Sequence, residues 1–396
     1  MHSTAYLPAS GPASPVSAQR HPSSVEELRR AVRIADQELV RIIGRRLELA
    51  QRIAAAKRRQ GHALRNYAVE ARVLSRWRVA LGRWGVPAPR AESLTRWMIE
   101  EALRAQERRL RRSPERCRRD GTVEIAIVGG AGAMGRWLAG FLEDSGRRVA
   151  VVDPRAVPGE RPMLPDVESA VRAARVVIFA TPIRSTRPLL QRALVARGRA
   201  VLLDILSVKA PIQSTIERGA RSGVAVSSLH PLFGPSVKTL SGRNLLIVSA
   251  GVPAADRVAR DLFRNSAVSI TTVPLAQHDR WIAESLGLSH LVNLLFLSAV
   301  SQDRLPVRKL AHASSTTFRR QGEVALDVAC EGAELYLDIQ SENPWSRRID
   351  ARLDAALRLL RSNVRGHDLP GFEEILRRGR TKLEQALGPS ARSSVS

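Results

Sequence analysis

The chain has 396 residues, 44% of them hydrophobic, which is enough for two or three folded domains and too much for a disordered chain. Its formal net charge of +25 comes from 63 Lys and Arg against 38 Asp and Glu. Only residues 108–119 form a dense basic run, without interleaved aromatics or zinc-ligand spacing, so arginine spread over solvated helix faces accounts for the charge better than a specific nucleic-acid site. The two cysteines, Cys117 and Cys330, lie far apart and offer neither a disulfide framework nor a metal site, which suits a reducing cytoplasm. Residues 1–22 are rich in Pro, Ser and Ala without an apolar core, so a disordered tail is expected there rather than a signal peptide, with a second tail at 389–396.

Ser24-Val25-Glu26-Glu27 reads as a capping box that starts a helix. Behind it Leu28, Val32, Ala35, Leu39, Ile42, Arg46, Leu49 and Ile53 alternate spacings of four and three. This is a heptad seam about seven turns long, and it needs partners to bury it. Arg46 interrupts the seam. A buried guanidinium without a counter-anion is costly, so Arg46 either meets an acid or an anionic ligand, or snorkels out of the seam or pairs with Glu48 or Glu70. Lys57 follows 11 residues later on the same face. The two lie roughly 16 Å apart along the axis, a gap that two long side chains narrow around a small dianion. Arg29 precedes Arg46 by 17 residues, roughly 26 Å, too far to share that site within one chain but able to serve the matching site of a second. After a break at Gly61-His62, helical stretches at 68–81 and 92–110 complete a small all-α domain over 23–112, followed by a linker at 113–121.

Next, an apolar run at 123–128 leads into Gly130-Ala131-Gly132-Ala133-Met134-Gly135, a helical pattern at 137–142, and a second apolar run at 148–152 that ends on Asp153. Strand, glycine turn, helix, strand and acid is the order of a dinucleotide site. Gly130 is expected to make the tight turn, Gly132 to let a pyrophosphate approach the backbone, and Gly135 to let helix and strand pack closely. The helix N-terminus then offers N–H groups and a positive dipole end to the phosphates. Asp153, 23 residues after Gly130, is placed to bind the ribose hydroxyls and to repel a 2′-phosphate, which favours NAD. Arg155 keeps NADP open.

Further buried strands are expected at 176–180, ending in Thr181-Pro182, at 201–205, ending near Ser207-Val208-Lys209, and at 224–228, leading into His230-Pro231-Leu232-Phe233-Gly234-Pro235. Ends of parallel strands carry the ligands of an open α/β sheet, so His230 is a candidate acid or base. From residue 274 the pattern is helical, with stretches at 276–300, 306–313, 316–343, 349–364 and 372–387. The longest apolar run, 291–300, is interrupted by Asn293 and Ser298 and is too short to span a bilayer. The expected class is multidomain α and α/β: the N-terminal three-helix domain, a Rossmann domain over 122–273, and a helical substrate and dimerisation domain over 274–388.

The front segment resembles the all-helical chorismate mutases over about residues 24–110. That resemblance implies an intertwined dimer in which Arg29 reaches across to the other chain, Arg46 and Lys57 hold the carboxylates and ether oxygen of chorismate, and Glu70 and Gln106 complete the site. The sequence departs from the family pattern at Asn66, where an aspartate is usual, at Val69, where an arginine is usual, and at Ala102, where a serine is common. The first two lie near the contact to the C4 hydroxyl.

The rest resembles prephenate dehydrogenase, on the glycine turn, 204–209, 230–235, Gln277-His278-Asp279, 314–319, Tyr336-Leu337-Asp338-Ile339 and Asn343. The resemblance implies that prephenate gives a hydride to NAD while His230 takes the hydroxyl proton, with Met134, Thr181 and Pro182 at the cofactor. Ser207 would hydrogen-bond near the reacting hydroxyl, Lys209 would order its loop and stand at the substrate, and His278 and Arg319 would contact substrate, Arg319 through a carboxylate. His290, on an apolar helix, is as well explained as a core histidine. Together the segments look like a bifunctional chorismate mutase–prephenate dehydrogenase of tyrosine biosynthesis, a cytoplasmic homodimer with no membrane or specific nucleic-acid partner. The alternative keeps the fold and takes the 4-amino-4-deoxy substrates.

Overall fold

The computed structural model describes residues 24–60, 62, 64, 66–111, 123–196, 198–237, 239–302, 307–330 and 332–387. Both expected tails, the expected linker and Cys117 lie outside them.

The first helix, α1 (Val25–Arg59), starts at the expected capping box. The Glu27 N–H donates to Ser24 Oγ at 3.1 Å and the Ser24 N–H to Glu27 Oε2 at 3.2 Å, which satisfies two N-terminal amides reciprocally. Residues up to Leu49 form one compact unit and those from Ala50 onward another. Within the first, the seam faces solvent: Leu28 is 49% and Ile42 62% exposed.

The second unit holds the end of α1, then α2 (Tyr67–Gly82) and α3 (Ala88–Arg111), which pack on each other. This segment does not stand apart from the sheet that follows. Ala54, Leu64 and Leu103 bury against Ala267, the Leu64 N–H donates to the Arg264 carbonyl at 3.3 Å, and Glu107 Oε2 accepts from the Leu240 N–H at 2.8 Å.

The α/β region runs β1 (Ile125–Val128), α4 (Ala133–Asp144), β2 (Val149–Val152), α5 (Val167–Ala173), β3 (Val176–Phe179), α6 (Ile183–Val195), β4 (Val201–Asp204), α7 (Ala210–Arg221), β5 (Val226–Pro231), β6 (Asn244–Ser249), α8 (Pro253–Asp261) and β7 (Ser269–Pro274). The seven strands lie in the order β2-β1-β3-β4-β5-β6-β7, all parallel to their neighbours except at the antiparallel β5–β6 pair. Helices cover both faces of the first strands, so β1, β2 and β3 are buried at every residue and read as unbroken apolar runs. The order reverses between β1 and β3, and a crevice opens outside the carboxyl ends of the strands at such a reversal. The reading from sequence did not place β6 or β7.

The helical remainder comprises α9 (Leu275–Ile282), a π-helical turn at Ala283–Gly287, α10 (Leu288–Ser301), α11 (Val307–Ala313), α12 (Thr316–Ala329), α13 (Ala333–Glu342), α14 (Ser346–Arg365) and α15 (Leu369–Leu387). The helix expected over 316–343 is two helices, divided around Gly332, which caps α13 in an extended conformation. The run Leu275–Ser301 is 27 residues and contains an 18-residue window with a mean hydropathy of 1.4, long and apolar enough to cross a membrane by composition, and longer than the 291–300 run measured in the sequence. Its first turns, however, bury His278 and Asp279 against polar groups of the sheet layer, which ties this helix to the protein core.

Candidate active sites

The glycine turn after β1 is built for close approach. Gly129, not Gly130, makes the tight turn: its φ is +86°, and a Cβ there would lie 2.6 Å from the Ala180 carbonyl oxygen. Gly130 answers a packing need instead, since its Cβ would meet Val151 Cγ1 at 2.5 Å. At Gly135 a Cβ would come within 2.2 Å of the Gly129 carbonyl oxygen, so this glycine lets the first turn of α4 sit on the loop. Gly132 caps α4 without a side-chain bond, leaving the helix N-terminal amides available. A phosphate fits such a cradle.

Asp153, buried at the end of β2, accepts the Ala131 N–H at 3.0 Å on one oxygen and the Arg155 N–H at 2.9 Å on the other. It therefore holds the glycine loop as well as facing the cleft. That cleft, about 840 Å³, is lined by Gly129, Gly132, Met134, Asp153, Thr181 and Pro182 among others.

A second cavity of about 310 Å³ shares Met134, Thr181 and Pro182 with the first and continues to Ser207, His230, Phe233, His290 and Tyr336. The two cavities thus adjoin at Met134 and Thr181. His230 lies within β5, paired with Leu246, one residue before the strand ends. Burial, together with His278, Lys209 and His290, holds its imidazole well below the usual histidine range. It is therefore uncharged at neutral pH.

Two residues expected at substrate stand behind the wall. Lys209 is fully buried; its Nζ donates to Asp204 Oδ1 at 2.7 Å and to the carbonyls of Leu206 and Leu229 at 2.6 and 2.8 Å. All three ammonium protons are used, so it orders the 204–209 loop and does not reach substrate. His278 is also fully buried, with Nε2 3.0 Å from His230 Nδ1 and Nδ1 2.7 Å from Asp279 Oδ1. Burial of α9 against the sheet layer, which sequence spacing does not reveal, removes it from the surface. His290 moves the other way. It lines the second cavity edge-on to Tyr336 at 4.5 Å, its Nδ1 has no hydrogen-bond partner among the described residues, and burial pushes it down to about 4. Arg319 is exposed near the start of α12 and lines neither cavity.

In the first unit, Arg29 is exposed and Arg46 half-buried. In the second, Lys57 Nζ donates to the Leu64 carbonyl at 2.5 Å. Burial lowers its pKa while the facing charge of Glu70 raises it. Gln106 on α3 is buried and its Oε1 lacks a partner among the described residues. Leu103, one turn before Gln106, packs with Ala54, one turn before Lys57, so the two polar groups extend from a common apolar contact. Asn66 is exposed and caps α2, accepting the Val69 N–H at 3.1 Å.

Comparison with known proteins joins these sites. The family described as chorismate mutase type II matches residues 28–107, and the prephenate dehydrogenase nucleotide-binding domain matches 163–247. A 4-amino-4-deoxyprephenate dehydrogenase of Streptomyces pristinaespiralis is 30% identical over 57% of this chain and 80% of its own length. The chain belongs to the bifunctional chorismate mutase–prephenate dehydrogenase family. A T-protein of Haemophilus influenzae is 25% identical over 92% of this chain and 97% of its own length. A probable arogenate/prephenate dehydrogenase of Methanocaldococcus jannaschii is 23% identical over 64% of this chain, which spans 60% of that protein. In fold, the prephenate dehydrogenase of A. aeolicus, solved with hydroxyphenyl propionate and NAD+, superposes with a TM-score of 0.53 at 17% identity, covering 66% of this chain and 98% of that one. The polypeptide thus carries an isomerase segment and a nucleotide-binding oxidoreductase segment.

Proposed function

We propose that the chain converts chorismate to prephenate in its front segment and prephenate to 4-hydroxyphenylpyruvate with NAD in its rear segment, as a cytoplasmic homodimer. The observation that carries this reading is the neutral imidazole of His230 at a cavity continuous with the dinucleotide cleft.

The glycine cradle fits a pyrophosphate, and the buried Asp153 carboxylate favours ribose hydroxyls over a 2′-phosphate. Bound NAD would supply the hydride acceptor. His230 takes the C4 hydroxyl proton as the carbonyl forms, and Ser207 on the same wall hydrogen-bonds that oxygen. Loss of the C1 carboxylate as CO2 then aromatises the ring and returns electrons to the oxygen, to which His230 gives the proton back. The proton balance closes within the site.

Among the described residues, no cation lines the second cavity, yet prephenate carries two carboxylates. We assign Arg319 to one of them, brought in when two copies associate. The exposed seam of α1 and exposed Leu357, Leu360 and Val364 on α14 support that association. In the mutase segment the reaction is a pericyclic rearrangement and needs no nucleophile. Arg46, Lys57, Glu70 and Gln106, with Arg29 of a second chain, hold the reactive conformer, while Lys57 and Gln106 stabilise charge on the ether oxygen.

A second reading, the 4-amino-4-deoxy substrates, is favoured by the Streptomyces relative and by Asn66, whose side chain caps α2. Against it, no carboxylate lines the second cavity among the described residues to pair with a C4 ammonium. Assaying chorismate and 4-amino-4-deoxychorismate side by side with NAD and NADP tests the choice. Preferred turnover of the hydroxy compound is expected, and preference for the amino compound would overturn it.

A further inference from the structure

His230 faces the cavity, but its Nδ1 points into the protein, toward His278 Nε2 at 3.0 Å. His278 Nδ1 in turn meets Asp279 Oδ1 at 2.7 Å. That carboxylate is fixed by two backbone amides, Lys209 N–H at 2.8 Å and Ala210 N–H at 2.6 Å. A carboxylate only accepts, so His278 carries its proton on Nδ1 and presents a lone pair at Nε2. The proton between the rings therefore belongs to His230 Nδ1. His230 Nε2 is left bare, which is the form able to take a proton from a hydroxyl.

We propose that His278 and Asp279 are positioning residues that set the His230 tautomer and hold its ring in place while it carries the substrate proton. The inference rests on the reading of His230 as the base. One proton moves from the substrate oxygen to His230 Nε2, the Nδ1 proton stays hydrogen-bonded to His278, and the first returns to the product oxygen, so no proton passes to Asp279. The other groups facing this pair are Lys209 and Asp204, which neutralise each other at 2.7 Å, and uncharged His290 across the cavity. A purely structural role for His278 is poorly motivated. Asp279 already ties α9 to the start of α7 through two amides, and its own carbonyl accepts from Asn343 Nδ2 at 2.9 Å.

The test uses the full chain with NAD and prephenate, and the mutase rate of the same sample reports folding. His278→Leu should lower dehydrogenase kcat by about 100-fold or more, with NAD KM unchanged. His278→Gln, whose Oε1 reaches the place of Nε2, should stay within about tenfold of the parent, whereas the shorter His278→Asn should fall with the leucine variant. In a His230→Asn background, His278→Leu should cost nothing more, because the two act as a unit. Equal rates for Gln and Asn, a leucine variant within about threefold of the parent, or losses that multiply in the double variant would overturn the relay. If the leucine variant fails to fold, the Gln–Asn comparison still decides. A near-normal His230→Asn rate would instead overturn the base assignment itself.

Discussion

Gly135→Ala isolates the cofactor cradle from the rest of the chain. The added Cβ would sit 2.2 Å from the Gly129 carbonyl oxygen and 2.9 Å from Gly130 Cα. Ordinary contact needs about 1 Å more, and both obstacles are backbone, so neither can swing aside. The first turn of α4 must lift from the loop, carrying with it the amides that would face the pyrophosphate. Overpacking of this kind costs about 1–3 kcal/mol. Expressed as cofactor affinity, that is about 5- to 150-fold. Gly140, on the same helix, has no atom within 4 Å of its would-be Cβ, so Gly140→Ala serves as the control. The assay is the KM for NAD at saturating prephenate, with the mutase rate of each sample as the measure of folding. The expected result is a raised NAD KM in Gly135→Ala, an unchanged one in Gly140→Ala, and equal mutase rates. A folded Gly135→Ala enzyme with the parent NAD KM would refute the role given to this turn.

Lys209→Met leaves Asp204 buried without its cation, so a loss of about 3–5 kcal/mol in unfolding free energy is expected in a denaturant titration; an unchanged midpoint would contradict the buried-pair account. Burial lowers the pKa values of His230 and His278 in the folded state. At acid pH the unfolded state then binds more protons, so stability is complete above the ordinary histidine pKa of about 6.5 and declines as pH falls below it. Denaturant midpoints across that range check the sign, and a rise on acidification would contradict it. Lys57→Ala should reduce mutase kcat by about 100-fold or more while leaving prephenate dehydrogenation intact; parallel loss of both activities would point to misfolding and an unchanged mutase rate to the wrong residue.

The order of elements was largely legible because the strands of a parallel sheet are unbroken apolar runs and the glycine turn is punctuated by its neighbours. The division of labour among the glycines was not. Which residue takes a positive φ depends on where the Ala180 carbonyl crosses from β3, a contact about 50 residues away in sequence. The break between α12 and α13 was marked in the sequence only by Gly332, a single glycine that a continuous helix also tolerates. His278 was misplaced because spacing along a helix says which residues share a face, not what covers that face. His290 was discounted for the same reason: an apolar helix can line a cavity as readily as a core. At Asn66 the departure from the mutase pattern was visible in the sequence, but its capping bond to Val69 was not.

His230 is the proposed proton acceptor, in a chain proposed to carry out two consecutive reactions. Supplying chorismate and NAD to the full-length His230→Asn variant and following both prephenate and NADH tests this directly. The expected result is prephenate accumulating at the parent mutase rate, with NADH formation lower by about 100-fold or more. NADH formation near the parent rate would contradict it.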